Sequence, residues 1–246
     1  MHIKILGTGT SQVSKERVST SNYIEIGNKK MLLDCGCGTL VRMSQAGISF
    51  KDIDIVLISH FHIDHISDLF ALLWALKYPH LDRNKNLQII GPKGFEEFYN
   101  NYVKPIVFSK PFDLFNIEIK EIEDEIKFDD FTIQTLSTLH TDESIAYKFI
   151  ENGKTLVVGG DMGYDENIID FSKEADILIL ECSYDNSKEL ESHLTPKECG
   201  QIAKKANVKK LIITHFYPIP KEVRLEETKE IFKNTLMAED LMGINL

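Results

Sequence analysis

Several things are scarce in this chain of 246 residues, and each scarcity excludes something. Its longest apolar stretches, Ile53–Ile58 and Leu69–Leu76, fall far short of the ~18 residues a membrane span needs. Met1–Gly7 reads as a first strand, too short an apolar run for the core of a secretory signal. Only four cysteines occur, Cys35, Cys37, Cys182 and Cys199, in a spacing that matches neither a disulfide framework nor a zinc knuckle. A reducing cytoplasm is therefore expected. Basic residues are outnumbered, 28 Lys and Arg against 38 Asp and Glu, for a net charge of −10. That balance weakens the case for long nucleic acid as a partner, because counterion release needs a basic surface. No repeat, low-complexity stretch or Gly/Ser/Pro-rich linker divides the chain, so one domain over 1–246 is expected.

What is present is an ordinary globular composition, 43% hydrophobic and 27% charged, on a chain long enough to bury a core without staples. Disorder, collagen and coiled coil are excluded. Strands are predicted at 2–6, 21–26, 30–33, 53–59 and 87–90, and helices at 39–46, 66–77 and about 94–102. In the second half, strands are predicted at 115–122, 131–137, 144–150, 155–158, 177–181 and 210–214. Helices are predicted at 167–173, from Pro196 to about Ala206, and at 225–233. The second of these opens on Thr195-Pro196-Lys197-Glu198, a capping box with proline at its first turn. Strands interleave with helices and also gather in hairpin-like groups. Two mixed sheets covered by helices fit this better than a doubly wound parallel sheet.

The chemistry concentrates in His60-Phe61-His62-Ile63-Asp64-His65, directly after an apolar strand. Residues two apart in an extended segment point the same way, so His60 and His62 can grip one ion. Asp64 and His65 follow where a helix begins and can turn toward a second. His140, Asp161 and His215 each close an apolar strand, and ligands at several strand ends converge on one sheet edge.

This constellation resembles the metallo-β-lactamase superfamily over nearly the whole chain, from Gly7-Thr8-Gly9-Thr10 and Leu33-Asp34-Cys35-Gly36 onward. Residues 60 to 65 meet its HxHxDH motif in full. The resemblance implies a four-layer αββα sandwich with two divalent metal ions at one edge. His60, His62 and His140 would hold one ion, Asp64, His65 and His215 the other, and Asp161 would bridge. Imidazole and carboxylate donors suit zinc, with manganese or iron open. The family attacks with a hydroxide held by such ions, and Asp64 counts among its catalytic residues.

Within the superfamily the likeness is to ribonuclease Z and the phosphodiesterase-like hydrolases around it. Ile90-Gly91-Pro92-Lys93-Gly94 matches their GPxG segment. Leu180-Glu181-Cys182-Ser183 and His193-Leu194-Thr195 stand where they carry a His-Glu-Ala-Thr loop and a His-Ser-Thr triplet. The resemblance makes His193 a proton donor or phosphate contact, oriented by Glu181. Ribonuclease Z also carries a long tRNA-clamping arm between its third and fourth ligand motifs. Here His140 to Asp161 is 161 − 140 = 21 residues, and the arm is missing.

The expected activity is hydrolysis of a phosphodiester in a small molecule or short nucleotide. Hydrolysis of a carboxylic ester, lactone or thioester is a rival on the same centre. Precursor-tRNA cleavage and a non-catalytic metal sensor are others. Relatives are often dimers, so a homodimer is expected. Cys35, Cys37 and Cys182 read as packing residues, Trp74 as core, and His2 and His80 as structural. The segments 78–86 and 108–115 are candidate borders of the substrate cleft.

Overall fold

The computed structural model describes residues 1–12, 14–78, 83, 85–108, 114–187, 190–218 and 221–246, without the side chains of 221–223. His80 and parts of both candidate cleft segments lie outside the described residues. The first sheet takes β1 (His2–Gly7), β2 (Ser21–Ile26), β3 (Lys29–Leu33), β4 (Ile55–Leu57), β5 (Leu87–Gly91) and β6 (Ile117–Glu121) in chain order. The second takes β7 (Glu125–Lys127), β8 (Phe131–Ser137), β9 (Ile145–Glu151), β10 (Lys154–Val158), β11 (Ile177–Glu181), β12 (Leu211–Thr214) and β13 (Thr235–Met237). The chain then returns, and β14 (Met242–Asn245) pairs antiparallel with β1. Among the described residues each sheet has seven strands, ordered β14-β1-β2-β3-β4-β5-β6 and β13-β12-β11-β10-β9-β8-β7. Both are mixed: β3 to β6 and β10 to β13 run parallel, and the remaining pairs antiparallel.

Alternation of side chains sorts the core into three layers. Ile3, Ile5, Ile24, Met31 and Ile55 meet Ile133, Tyr147, Phe149, Leu156 and Ile179 between the sheets. Outside the first sheet lie α1 (Thr39–Gln45), α2 (Ile63–Leu76), and α3 (Phe95–Phe98) running through a π-helical stretch into α4 (Lys104–Val107). Outside the second lie α5 (Asn167–Phe171), α6 (Pro196–Lys205) and α7 (Lys221–Ile231). This is the αββα sandwich.

Helix α2 shows how the sequence sets the packing. Leu69, Leu72, Leu73 and Leu76 recur at helical spacing and are fully buried, each contributing about 1.5–3 kcal/mol of transfer free energy. The same period turns Trp74 outward, 44% exposed, with the Lys77 ammonium over its ring; it is not a core residue. The expected strand 115–122 is shorter, and the chain crosses to the second sheet as β7. Helix α2 starts three residues earlier than predicted, with extended His62 (ψ 147°) as its N-cap, so Asp64 and His65 sit in its first turn.

Candidate metal centre

The site lies where β3, β4, β8, β10, β11 and β12 end. His60 follows β4, and His62, Asp64 and His65 ride the loop into α2. His140, Asp161 and His215 come from the ends of β8, β10 and β12. The seven residues named from the sequence meet. One donor atom each from His60, His62, His140 and Asp161 lie within 4.8 Å of one another, and so do those of Asp64, His65 and His215. His62 Nδ1 and His140 Nε2 stand 2.9 Å apart. Asp161 lies between the groups: Oδ1 is 3.3 Å from Nε2 of both His65 and His215, and Oδ2 is 3.8 Å from His140 Nε2.

The donor set fits metal on an observation independent of any motif. The Nε2 atoms of His60, His65 and His215 are buried without a hydrogen-bond partner, and all belong to these two groups. Buried polar atoms are otherwise paired in nearly all cases. Each of these rings spends its other nitrogen on the protein. Ser59 Oγ–H donates to Asp34 Oδ2 (2.9 Å), so the same oxygen accepts from His60 Nδ1–H (3.1 Å). His65 Nδ1–H donates to Asp34 Oδ2 (2.8 Å). Ser183 Oγ–H donates to Glu181 Oε2 (2.5 Å) and accepts from His215 Nδ1–H (3.0 Å). His140 Nδ1–H donates to the Ser192 carbonyl (3.0 Å). In every case the free lone pair faces the cluster, the arrangement metal-bound histidines show.

The local backbone is bent to make this possible. Asp34 and His215 adopt left-handed φ values of 60° and 57°, a conformation that side chains disfavour and that concentrates at functional sites. Gly36 is required beside them, since a Cβ there would come within 2.0 Å of the Asp64 carbonyl oxygen. The Ser11 N–H donates to Asp64 Oδ2 (3.0 Å), so the Gly7–Thr10 turn abuts the site.

Electrostatics follows burial. Burial, then the neighbouring histidines, pulls His60 and His62 down, which keeps both neutral and able to coordinate. Asp161 is fully buried, which would push its carboxyl up. His215, His65 and His60 outweigh this and hold it well below the usual carboxylate range.

Glu181 and His193 form a second unit at the rim. His193 Nδ1–H donates to Glu181 Oε1 (2.7 Å), which also accepts from the Met162 N–H (2.9 Å). Burial would lower the His193 pKa, but Glu181, Asp161 and Asp64 raise it. Its ring lies 4.9 Å from that of His140 and 6.3 Å from that of His215. Tyr184 and Tyr217, stacked at 5.1 Å, flank it. An 840 Å³ cleft opens beside His140, lined by Leu139, Asp142, Tyr164, Leu190 and Glu191 among others. None of the described residues of either candidate border segment lines it.

Sequence reasoning missed Asp34, Ser59, Ser183, Tyr184 and Tyr217. Asp34 and Ser183 stood inside motifs already singled out, without a sign of what they touch. Cys35, Cys182 and Cys199 are buried free thiols and Cys37 is exposed. His2 bonds Asn245 (2.7 Å).

Comparison with known proteins gives the lineage. The profile described as "Anti-Pycsar protein Apyc1" matches residues 1–235. The chain belongs to the Apyc1 family. Ribonuclease Z of Archaeoglobus fulgidus is 28% identical to this Apyc1-family chain, over 99% of it and 97% of the relative. The alignment runs 309 positions against a chain of 246, so at least 309 − 246 = 63 positions of that relative face a gap here. The metallo-β-lactamase fold protein YhfI of Bacillus subtilis superposes with a TM-score of 0.87 at 22% identity, covering 99% of each chain. Human tRNase Z, short form, gives 0.81 at 22% identity, covering 100% of this chain and 99% of the other. The Apyc1-family chain has the metallo-β-lactamase fold, and with its donor set it is a metal-dependent hydrolase that is similar to ribonuclease Z. Among the described residues no helix is long and apolar enough to cross a membrane.

Proposed function

We propose that this protein is a dimetal phosphodiesterase, with zinc the best match to its donors, acting on a small molecule or short nucleotide from one domain. His60, His62 and His140 would hold one ion and Asp64, His65 and His215 the other, with Asp161 between them. Two such ions supply a water of lowered pKa and stabilise the attacking and leaving oxygens of a displacement. The chain's own residues do the rest. Asp34 and Ser59 fix the rings of His60 and His65, and Ser183 fixes that of His215. His193, whose hold on its proton Glu181 strengthens, donates a proton to the leaving oxygen or hydrogen-bonds a non-bridging one.

The observation that carries the phosphate reading is the 2.7 Å His193–Glu181 pair facing the metal ligands. A developing alkoxide needs a proton donor there. The test is a substrate panel on metal-loaded protein: bis-p-nitrophenyl phosphate, cyclic nucleotides, a lactone and a β-lactam. Phosphodiester turnover is expected, and lactone turnover alone would overturn the reading.

One further activity has specific support. The Archaeoglobus relative, matched over 99% of this chain, is named ribonuclease Z. Two features oppose precursor-tRNA cleavage: the 63 or more unmatched positions and the net charge of −10. Precursor tRNA should be cleaved poorly at physiological salt, and efficient site-specific cleavage would restore that activity.

A further inference from the structure

A second, smaller cavity of about 160 Å³ lies against Tyr217, with Gln12, Glu16, Arg17, Phe216 and Arg224 also in its lining. Its two arginines are buried, Arg17 7% exposed and Arg224 1%. Their guanidinium carbons sit 4.5 Å and 5.3 Å from the centre of the Phe216 ring. Arg17 Nη1 donates to Thr8 Oγ1 and to the Ala238 carbonyl (2.9 Å). Arg224 donates only to carbonyls, Ser183 at 2.8 Å and Tyr217 at 3.2 and 3.3 Å. Among the described residues Arg17 Nη2 and Arg224 Nε have no hydrogen-bond partner.

Neither guanidinium forms an ion pair among the described residues, whereas the neighbouring Arg42 pairs with Asp240 at 2.9 Å. Asp240 is engaged by Thr8, Val18 and Arg42, and Glu16, the cavity's own acid, is exposed. Two buried cations sharing one ring, with N–H groups to spare, are disfavoured unless an anion joins them. Burial pulls both guanidinium pKa values down, a direction that an anion would reverse.

The cavity adjoins the metal centre on two sides. The Tyr217 ring that lines it is 6.4 Å from that of His215. Gln12 follows Ser11, whose N–H holds Asp64. We propose that Arg17 and Arg224 form an anion subsite for a phosphate group beside the reacting centre, filled by a second phosphate of the substrate or by free phosphate. Guanidinium groups suit tetrahedral oxyanions because their N–H forks match pairs of oxygens. The substrate arm rests on the phosphodiesterase reading; the free-phosphate arm does not.

The test compares thymidine 5′-p-nitrophenyl phosphate with the same compound carrying a 3′-phosphate, on metal-loaded protein. The scissile bond and leaving group are identical, so only the second anion differs. A substrate phosphate at the subsite should raise kcat/KM about 10- to 100-fold, the range of one or two charged hydrogen bonds. The ratio should fall to about one in Arg17→Met and in Arg224→Met. If the ratio is already about one in the wild type, the free-phosphate arm decides. Millimolar inorganic phosphate should then raise Tm more in the wild type than in either variant. Equal kcat/KM for both compounds, together with equal phosphate shifts in wild type and Arg17→Met, overturns the subsite. Should neither compound turn over, the phosphodiesterase reading fails, and the phosphate shifts alone judge the subsite. Two variants on different elements, a loop and α7, guard against one failing to fold.

Discussion

Asp34 and Glu181 do one mechanical job on opposite sheets, with different results. Each carboxylate sits at the end of a strand. Each grips one histidine directly, His65 at 2.8 Å and His193 at 2.7 Å. Each reaches a second histidine through a serine hydroxyl, His60 through Ser59 and His215 through Ser183. On the first sheet both histidines lie deep among the metal donors, with His65 1% exposed. On the second, His215 faces the donors while the His193 side chain stays 13% exposed at the rim. The same relay therefore locks two candidate donors in one place. In the other it locks one candidate donor and leaves the second histidine partly exposed at the rim.

Asp161, whose Oδ1 stands 3.3 Å from both His65 and His215, ties the two relays together, and breaking it should have the largest effect. Asp161→Ala is expected to lose metal and to drop turnover to the background of the metal-free protein, because both groups of donors close on that side chain. Elemental analysis beside turnover checks it; two retained ions with near-normal rate would remove Asp161 from the centre.

The rim relay comes next. His193→Ala should cut turnover about 10²–10⁴-fold while both metals stay. Esters with an alkoxide leaving group should suffer more than p-nitrophenyl esters, which need less protonation. Equal losses would leave phosphate positioning as its role. Loss of metal would make it a ligand, as its proximity to Asp161 and His215 allows.

The deep relay should respond in the opposite sense. Asp34→Asn weakens the partner of His65 without removing a donor, so metal affinity should fall about 10–100-fold. Excess metal should then restore turnover, whereas it should not rescue His193→Ala. A metal titration of both variants separates the relays, and identical titrations would erase the distinction.

The smallest effect tests what holds His193 in place. Thr195 caps α6, accepting from the Glu198 N–H, and Glu198 answers on the Thr195 N–H (2.9 Å). Thr195→Ala should cost about 1 kcal/mol in denaturant unfolding. Its activity loss should stay below that of His193→Ala; a larger one would mean that the cap sets the histidine's position.

The contrast between relays also explains what could be read from the sequence. The deep centre was legible because four of its donors sit within six consecutive residues, and the other three each close an apolar strand. The capping box likewise placed the start of α6 at Pro196. The serines and Asp34 were not legible in role, because Asp34 and His65 stand 31 positions apart and meet only once β3 and β4 pair in register. The strands β13 and β14 escaped too. Thr235–Met237 is three residues long, and Met242–Asn245 carries a glycine and a single buried side chain, so neither has a period of its own. Pairing with β12 and β1 makes them strands.

That last pairing bears on how the protein is made. The strand completing the first sheet, β14, is translated after the whole second sheet, 242 − 2 = 240 positions after its partner β1. At about 5–20 residues per second, the outer edge of β1 waits roughly 12–48 s for its neighbour. During that interval the nascent chain presents Ile3 and Ile5 on an open strand, the kind of edge that recruits other chains. Translation speed and chaperone cover over that window, rather than the stability of the finished sandwich, would then govern how much of the protein reaches its native state.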